Sequence, residues 1–296
     1  MGLRSNPSQR QRRLGAELRR LRELSGMSAT DAGALAGLGR AHMSHIEMGR
    51  TAIPEDKLRA LVRAYGCNSQ GLIDALVVMG ESTGRGWWSD YRDTQSSSVL
   101  DLAELEAANT AHRSFQWVYV HGLLQTPDYM RALFEAGQPD ATLGELDRGV
   151  EFRLRRQEVL KGTSPLRFHA VIHEAALHMR LVSAEIMRQQ IEHLVEMARL
   201  PNVCIQIMPF AGRAYPADFG TPFVIFEPSV PELGTVYVEH PVSPLFLGEQ
   251  AQLAQFRATF ETLSTVALPP LDPQPESMFS AKKDSLGLVQ HLLYVL

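Results

Sequence analysis

Two cysteines in 296 residues are too few for a disulfide framework. Cys67 and Cys204 lie far apart among apolar neighbours, which points to free, buried thiols and a reducing, cytoplasmic setting. No apolar run approaches the ~20 residues that a membrane-spanning helix needs. The N-terminus is Arg-rich with no apolar segment behind it, so no secretory signal is expected. Phosphate-loop and hydrolase signatures are missing too: there is no GxxxxGK[ST] and no GxSxG. In HEAALH, His173 and His178 stand five apart, whereas one helix face presents both imidazoles at a spacing of about four. These absences argue against an enzyme, and no catalytic residue, metal site or cofactor is expected.

What is present is a lopsided charge. Residues 1–66 hold 12 Lys/Arg against six Asp/Glu, and the remainder hold 17 against 27. A basic front on an acidic body suggests that the first part meets a polyanion.

The first 80 residues read as five short helices. Residues 1–13 form an Arg-rich segment expected to be a mobile arm. Leu14, Leu18 and Leu21 then recur at helical spacing until Gly26. Ser28 can cap a second helix through Leu35. A Gly37-Leu38-Gly39 turn leads into a third, Arg40 to Met48. Pro54 starts a fourth with Glu55 and Asp56 in its first turn, where acids suit the helix dipole. A fifth spans about 69–78. Residues 81–98 are Gly- and Ser-rich and read as a linker. Beyond them, DLAELEAANTAHRSF reads as a helix and QWVYV as a strand or extended segment. RFHAVIH, VCIQIMPF, PFVIFE and TVYVEH are strand-like, mixed with helices over 142–161, 183–200 and 247–266. Without strict βα alternation the class is α+β. The expected architecture is multi-domain: an N-terminal all-α five-helix domain over 1–80, then an α+β C-terminal domain over 99–280, then an apolar tail over 281–296.

LAGLGRAHMSHIEMGR, residues 35–50, carries the most specific signal. Ala32 and Gly33 are small enough for two helices to cross. Gly37 tolerates an unusual turn conformation. Met43 and Ile46 share an inward face, which leaves Arg40, Ala41, Ser44 and His45 on the outward one. Donors near the start of an exposed helix suit the DNA major groove.

These residues resemble the Xre-type helix-turn-helix domain of phage-repressor and bacterial regulator families, over about residues 14–78. The likeness rests on LGAELRRLRELSGMS, on the block ending HIEMGR, and on the Pro-started helix ending AYG. It implies base contacts from Arg40, Ala41, Ser44 and His45, and phosphate contacts from Ser28, His42 and Arg50. It also implies a structural ion pair between Arg22 and Glu47. Two departures are visible: Ala29 replaces a common Gln, and Gly39 replaces a common Ser cap. The arm's Arg4, Arg10, Arg12 and Arg13 are candidates to track phosphates or a minor groove, with an idle tail as the equal alternative.

The C-terminal half contains GWWSDY, HGLLQTPDYMRAL, EFRLRRQEVL, HEAALH, RQQIEHLVEMARLPNVCIQIMPF and GTPFVIFEPSVPELGTVYVEH. Together they resemble actinobacterial WhiJ-like regulators, in which an Xre-type domain precedes a domain of undefined biochemistry. His121 stands where that family usually has Pro. The resemblance implies a transcriptional regulator; some members of that family work with a small protein encoded nearby, in an antitoxin-like arrangement. Arg153, Arg156 and Gln157 on one helix, with Glu174 after a strand, make a candidate surface for that partner or for a ligand. The default reading of such a charged helix is a solvated face. Double-stranded DNA is the expected first partner, and homodimerisation follows from the half-site logic of such domains. Two alternatives stay open: an antitoxin-like adaptor whose main act is binding the small protein, and an unrecognised enzyme in the second domain.

Overall fold

A computed structural model describes residues 4–211, 220–240, 242–273 and 284–296. The chain divides into two compact units. Unit 1 holds residues 1–108 and 228–235; unit 2 holds 109–227 and 236–296.

Unit 1 is helical. Helix α1 (Gln9–Leu24) is opened by a capping box between Ser8 and Gln11. Ser28 caps α2 (Ala29–Leu35), and α3 (Arg40–Glu47) follows. Helix α4 (Glu55–Ala64) begins after Pro54 with two acids in its first turn. Ser69 caps α5 (Gln70–Glu81). A 3-10 turn (Trp87–Tyr91) and α6 (Ser97–Ala108) complete the run. Leu14, Leu18, Met43, Ile46, Leu58, Leu61, Ile73 and Leu76 form its core, each side chain stabilising by roughly 1.5–3 kcal/mol.

Two expectations change here. The basic segment is not a free arm through residue 13, because α1 starts at Gln9 and Arg13 is buried. Arg4 also donates its backbone N–H to the Arg50 carbonyl at 2.8 Å. Residues 1–3 of that arm lie outside the described residues. The expected linker is folded: Trp87 packs edge-on against Trp88 and Tyr91, and Tyr91 is buried. Aromatic rings of that size bury too much apolar area to remain in a slack connector.

Unit 2 is built on a mixed six-stranded sheet of order β3-β2-β1-β4-β5-β6. The strands are β1 (Ala111–Gln116), β2 (Arg167–His173), β3 (Val203–Met208), β4 (Phe223–Glu227), β5 (Thr235–Val238) and β6 (Leu245–Leu247). Strands β1, β2 and β3 are parallel; β4 runs antiparallel to β1, and β6 to β5. The helices are α7 (Pro127–Gly137), α8 (Leu143–Gln157), α9 (Ala175–His178), α10 (Ala184–Met197), α11 (Gln250–Val266) and α12 (Ser285–Val295). On one sheet face Phe168, Ile172, Ile205 and Ile207 cluster with Ile191 and Leu194 of α10 and with Leu286, Val289 and Leu292 of α12. On the other, Phe115, Val171 and Ile225 cluster with Leu253, Phe260 and Leu263 of α11.

Two strands differ from expectation: β6 (Leu245–Leu247) stands where none is expected, and the central strand β1 is displaced. AHRSF was expected to end a helix, with a strand or extended segment at QWVYV; instead α6 stops at Ala108 and β1 is Ala111–Gln116. Polar His112 and Ser114 occupy one face of it, which hides the apolar alternation. Pairing with β2 and β4 on both sides overrides weak local preference. The apolar tail is α12, whose inner face joins the core; its residues 281–283 lie outside the described residues. Both cysteines are free and half-buried rather than fully buried. Among the described residues no helix is long and apolar enough to cross a membrane.

Candidate nucleic-acid interface

The geometry of α2, the turn and α3 follows from a few residues. Ala32 is fully buried where the helices meet. Gly37 sits at φ +62°, a left-handed conformation that a side chain would strain. The turn closes by Gly37 N–H to the Ala34 carbonyl and Leu38 N–H to the Gly33 carbonyl, at 3.1 and 2.7 Å. Gly39 offers α3 no side-chain cap, so the first N–H groups of α3 lack the partner that Ser would supply.

Met43 and Ile46 anchor α3 in the core. At about 100° per residue, Arg40, Ala41, Ser44 and His45 spread over roughly 140° of the opposite side. The first three are exposed and His45 is half-exposed. Glu47, the one acid on α3, is turned inward. Its carboxylate accepts from Arg22 Nε at 2.6 Å and Nη2 at 3.1 Å. That bidentate bond also holds the Arg22 guanidinium above its ordinary range. The outward face of α3 is thus free of negative charge.

The residues that the resemblance assigns to phosphates differ among themselves. His42 and Arg50 are exposed. Ser28 accepts from the Asp31 N–H and donates its hydroxyl to the Asp31 carboxylate at 2.6 Å, so its side chain is committed to capping α2.

In unit 2 the four candidate surface residues do not form one patch. Gln157 Nε2 donates to the carbonyls of Gly122 and Gln125, at 3.0 and 2.8 Å. Arg153 donates to Gln125 Oε1 and lies 4.3 Å from the centre of the Phe134 ring. Arg156 is 8% exposed, with Gly122 beside its guanidinium. Arg153 and Gln157 brace the loop over 121–125, and Arg156 lies against it. Glu174 is engaged elsewhere: it accepts from the Phe210 N–H at 2.8 Å and lies 3.2 Å from His178 Nε2.

Two histidines were missed as a pair. His121 Nδ1 accepts from the Leu123 N–H at 3.2 Å, and that hydrogen bond shapes the loop. His112 on β1 is 1% exposed, packs edge-on against Phe226 at 4.6 Å, and has no hydrogen-bond partner on either ring nitrogen. Burial holds both imidazoles neutral, with Arg156 adding to it: His112 falls well below its ordinary value and His121 to about 3. Isolated His residues in a polar-looking stretch carry no signal of burial.

The geometry defines a class: a chain with an N-terminal helix-turn-helix domain of the DNA-binding type and an α+β domain behind it. A helix-turn-helix domain model matches residues 13–76. The domain of unknown function DUF5753 matches residues 99–273, and the chain belongs to that family. No curated protein and no solved structure matches the chain.

Proposed function

We propose that the protein is a sequence-specific DNA-binding transcriptional regulator of the WhiJ-like kind, cytoplasmic and without enzymatic activity of its own. One observation carries this reading: the outward face of α3 presents Arg40, Ala41, Ser44 and His45 with no acid among them, because Glu47 is paired to Arg22. Arg40 reaches guanine O6 and N7, the commonest specific contact in the major groove. His42 and Arg50 meet phosphates. The protein acts as a homodimer, since two half-sites about one helical turn apart give a small domain useful affinity. Unit 2 takes the small protein partner or ligand that sets when the DNA is held.

Selection of bound duplexes from a random library, with the full chain, tests this. The expected result is one enriched motif of two related half-sites. Binding should weaken with salt at a log–log slope of about −0.9 per phosphate contact. No enrichment, with binding insensitive to salt, would overturn it.

A further inference from the structure

Unit 1 holds a cavity of about 590 Å³ beside α4 and α5. Small-molecule sites occupy about 300–1,000 Å³. Every residue that lines the cavity belongs to this one unit. Its floor is aliphatic: Ile53, Leu58 and Val77 are all buried. Gly80 of α5 lines it too, and a Cβ there would stand 3.2 Å from Leu58 Cδ1. A larger residue at that position would crowd the floor.

The rim is polar, and its charges are unevenly committed. Arg4 Nη1 donates to the Gly49 carbonyl at 3.2 Å, and the side chain makes no ion pair among the described residues. Burial lowers its guanidinium from the ordinary range, with Glu104 opposing the shift. Arg85 is exposed, and its side chain makes no hydrogen bond or ion pair among the described residues. Of the two acids, Glu55 is held by Arg59 Nε at 2.7 Å, and Glu81 is exposed. Two guanidiniums without a carboxylate therefore stand with one uncommitted acid, which leaves the rim one positive charge in excess. Pro54 lines the cavity at the N-cap of α4, where no side chain caps the helix. The first N–H groups of α4 are left to solvent or a ligand, at the positive end of the helix dipole.

The surround is built rather than slack. Ser82 Oγ donates to Glu104 Oε1 at 2.9 Å and accepts from the Gly84 N–H at 3.2 Å. Gln11 Nε2 donates to the Ser82 carbonyl at 3.4 Å. The Arg4 N–H donates to the Arg50 carbonyl at 2.8 Å. A site held in this way costs a ligand little ordering of the protein.

We propose that this cavity is a binding site for an amphipathic monocarboxylate. Its aliphatic chain lies on Ile53, Leu58 and Val77, and its carboxylate meets Arg4 and Arg85. The planar fork of each guanidinium matches a carboxylate. A cation would meet the excess positive charge, and a small bare anion would leave the floor unused. A doubly charged phosphate monoester would exceed the single charge to be matched and would oppose Glu81. No lining residue belongs to α3, so the proposal stands apart from the DNA-binding reading.

The test titrates the full chain with decanoate, hexanoate, acetate and decanol, read by NMR at the backbone amides of residues 55–57 and 80–85. Decanoate should give saturable shifts there. Affinity should rise about tenfold or more from hexanoate to decanoate as methylenes are buried. Acetate and decanol should each bind about tenfold or more weaker than decanoate, since each lacks one half of the match. Arg85→Gln, at an exposed side chain, should weaken decanoate by about fivefold with an unchanged melting curve. Ala52→Leu, which fills part of the cavity, should weaken it as well. No saturable shift at these amides would overturn the proposal. Decanol binding as tightly as decanoate would overturn it too, as would decanoate affinity unchanged by Arg85→Gln. If Ala52→Leu does not fold, Arg85→Gln and the decanol comparison decide.

Discussion

Helices α3 and α8 carry similar side chains to opposite ends. On α3, the side chains of Arg40, His42 and His45 make no hydrogen bond or ion pair among the described residues, and the one acid is buried against Arg22. On α8, Arg153 and Gln157 hold the carbonyls and side chains of the 121–125 loop, and Arg156 is buried. The same donors are held outward by one helix and committed inward by the other. A cationic side chain signals recognition where its own fold leaves it unused, and scaffold where the fold consumes it.

The largest expected effect separates the two units by acid. His112 and His121 are kept neutral in the native state, whereas the unfolded chain protonates both near pH 6.5. Protons therefore bind the unfolded state preferentially as pH falls below that value. Stability of unit 2 should be level above about pH 6.5. Below it, each histidine should cost about 1.4 kcal/mol per pH unit down to its native value. Urea unfolding followed by exchange of β1–β3 amides measures this, and His112→Phe should make the slope shallower, with His169, His173 and His193, also lowered by burial, supplying part of what remains. A flat profile would show that α8 and the sheet do not bury these rings as described.

Next is Glu47→Ala, which removes the bidentate partner of Arg22, leaves it the Met27 carbonyl and Glu23 at 3.6 Å, and should destabilise unit 1 by about 1.5–3 kcal/mol. Thermal unfolding checks it, and a loss below about 1 kcal/mol would move Glu47 to the solvated side of the comparison. Arg40→Ala should leave the melting curve unchanged but cost about 1–3 kcal/mol of affinity for the selected duplex and relax one base position. Arg153→Ala should do the reverse, with DNA affinity unchanged and stability lowered by about 1–2 kcal/mol through the lost loop bond and ring contact. If Arg153→Ala instead changes DNA affinity at constant stability, the contrast between the helices fails. The smallest effect is Gly39→Ser, a few tenths of a kcal/mol of added stability from a side-chain cap on α3.

Local chemistry accounts for what could be read early. Ser28, Gly37, Pro54 and Ser69 mark helix ends by hydrogen bonding and allowed backbone angles, and α2 to α5 fall where they point. Capping by Ser8 was overlooked in an Arg-rich stretch, which hid the first turns of α1. Strands β2 to β5 announce themselves as β-branched or aromatic runs between turn residues. Strand β1 does not, because its polar residues are tolerated only inside a sheet paired on both sides. The outward set on α3 was legible from the spacing of Met43 and Ile46. The fate of Arg153, Arg156 and Gln157 was not, since their partners are 28 to 35 residues away in the 121–125 loop.

The amino-acid sequence by itself determined the helix-turn-helix, the α+β class and the outward placement of Arg40, Ala41, Ser44 and His45 on α3, because caps, turns and hydrophobic spacing act over a few residues. Only the tertiary structure decided which charges are free, which histidines are dry, and that residues 228–235 belong to the helical unit. Those outcomes depend on burial and on partners distant in the chain; Arg13 and Gly234 are 221 residues apart, and no local pattern encodes their meeting.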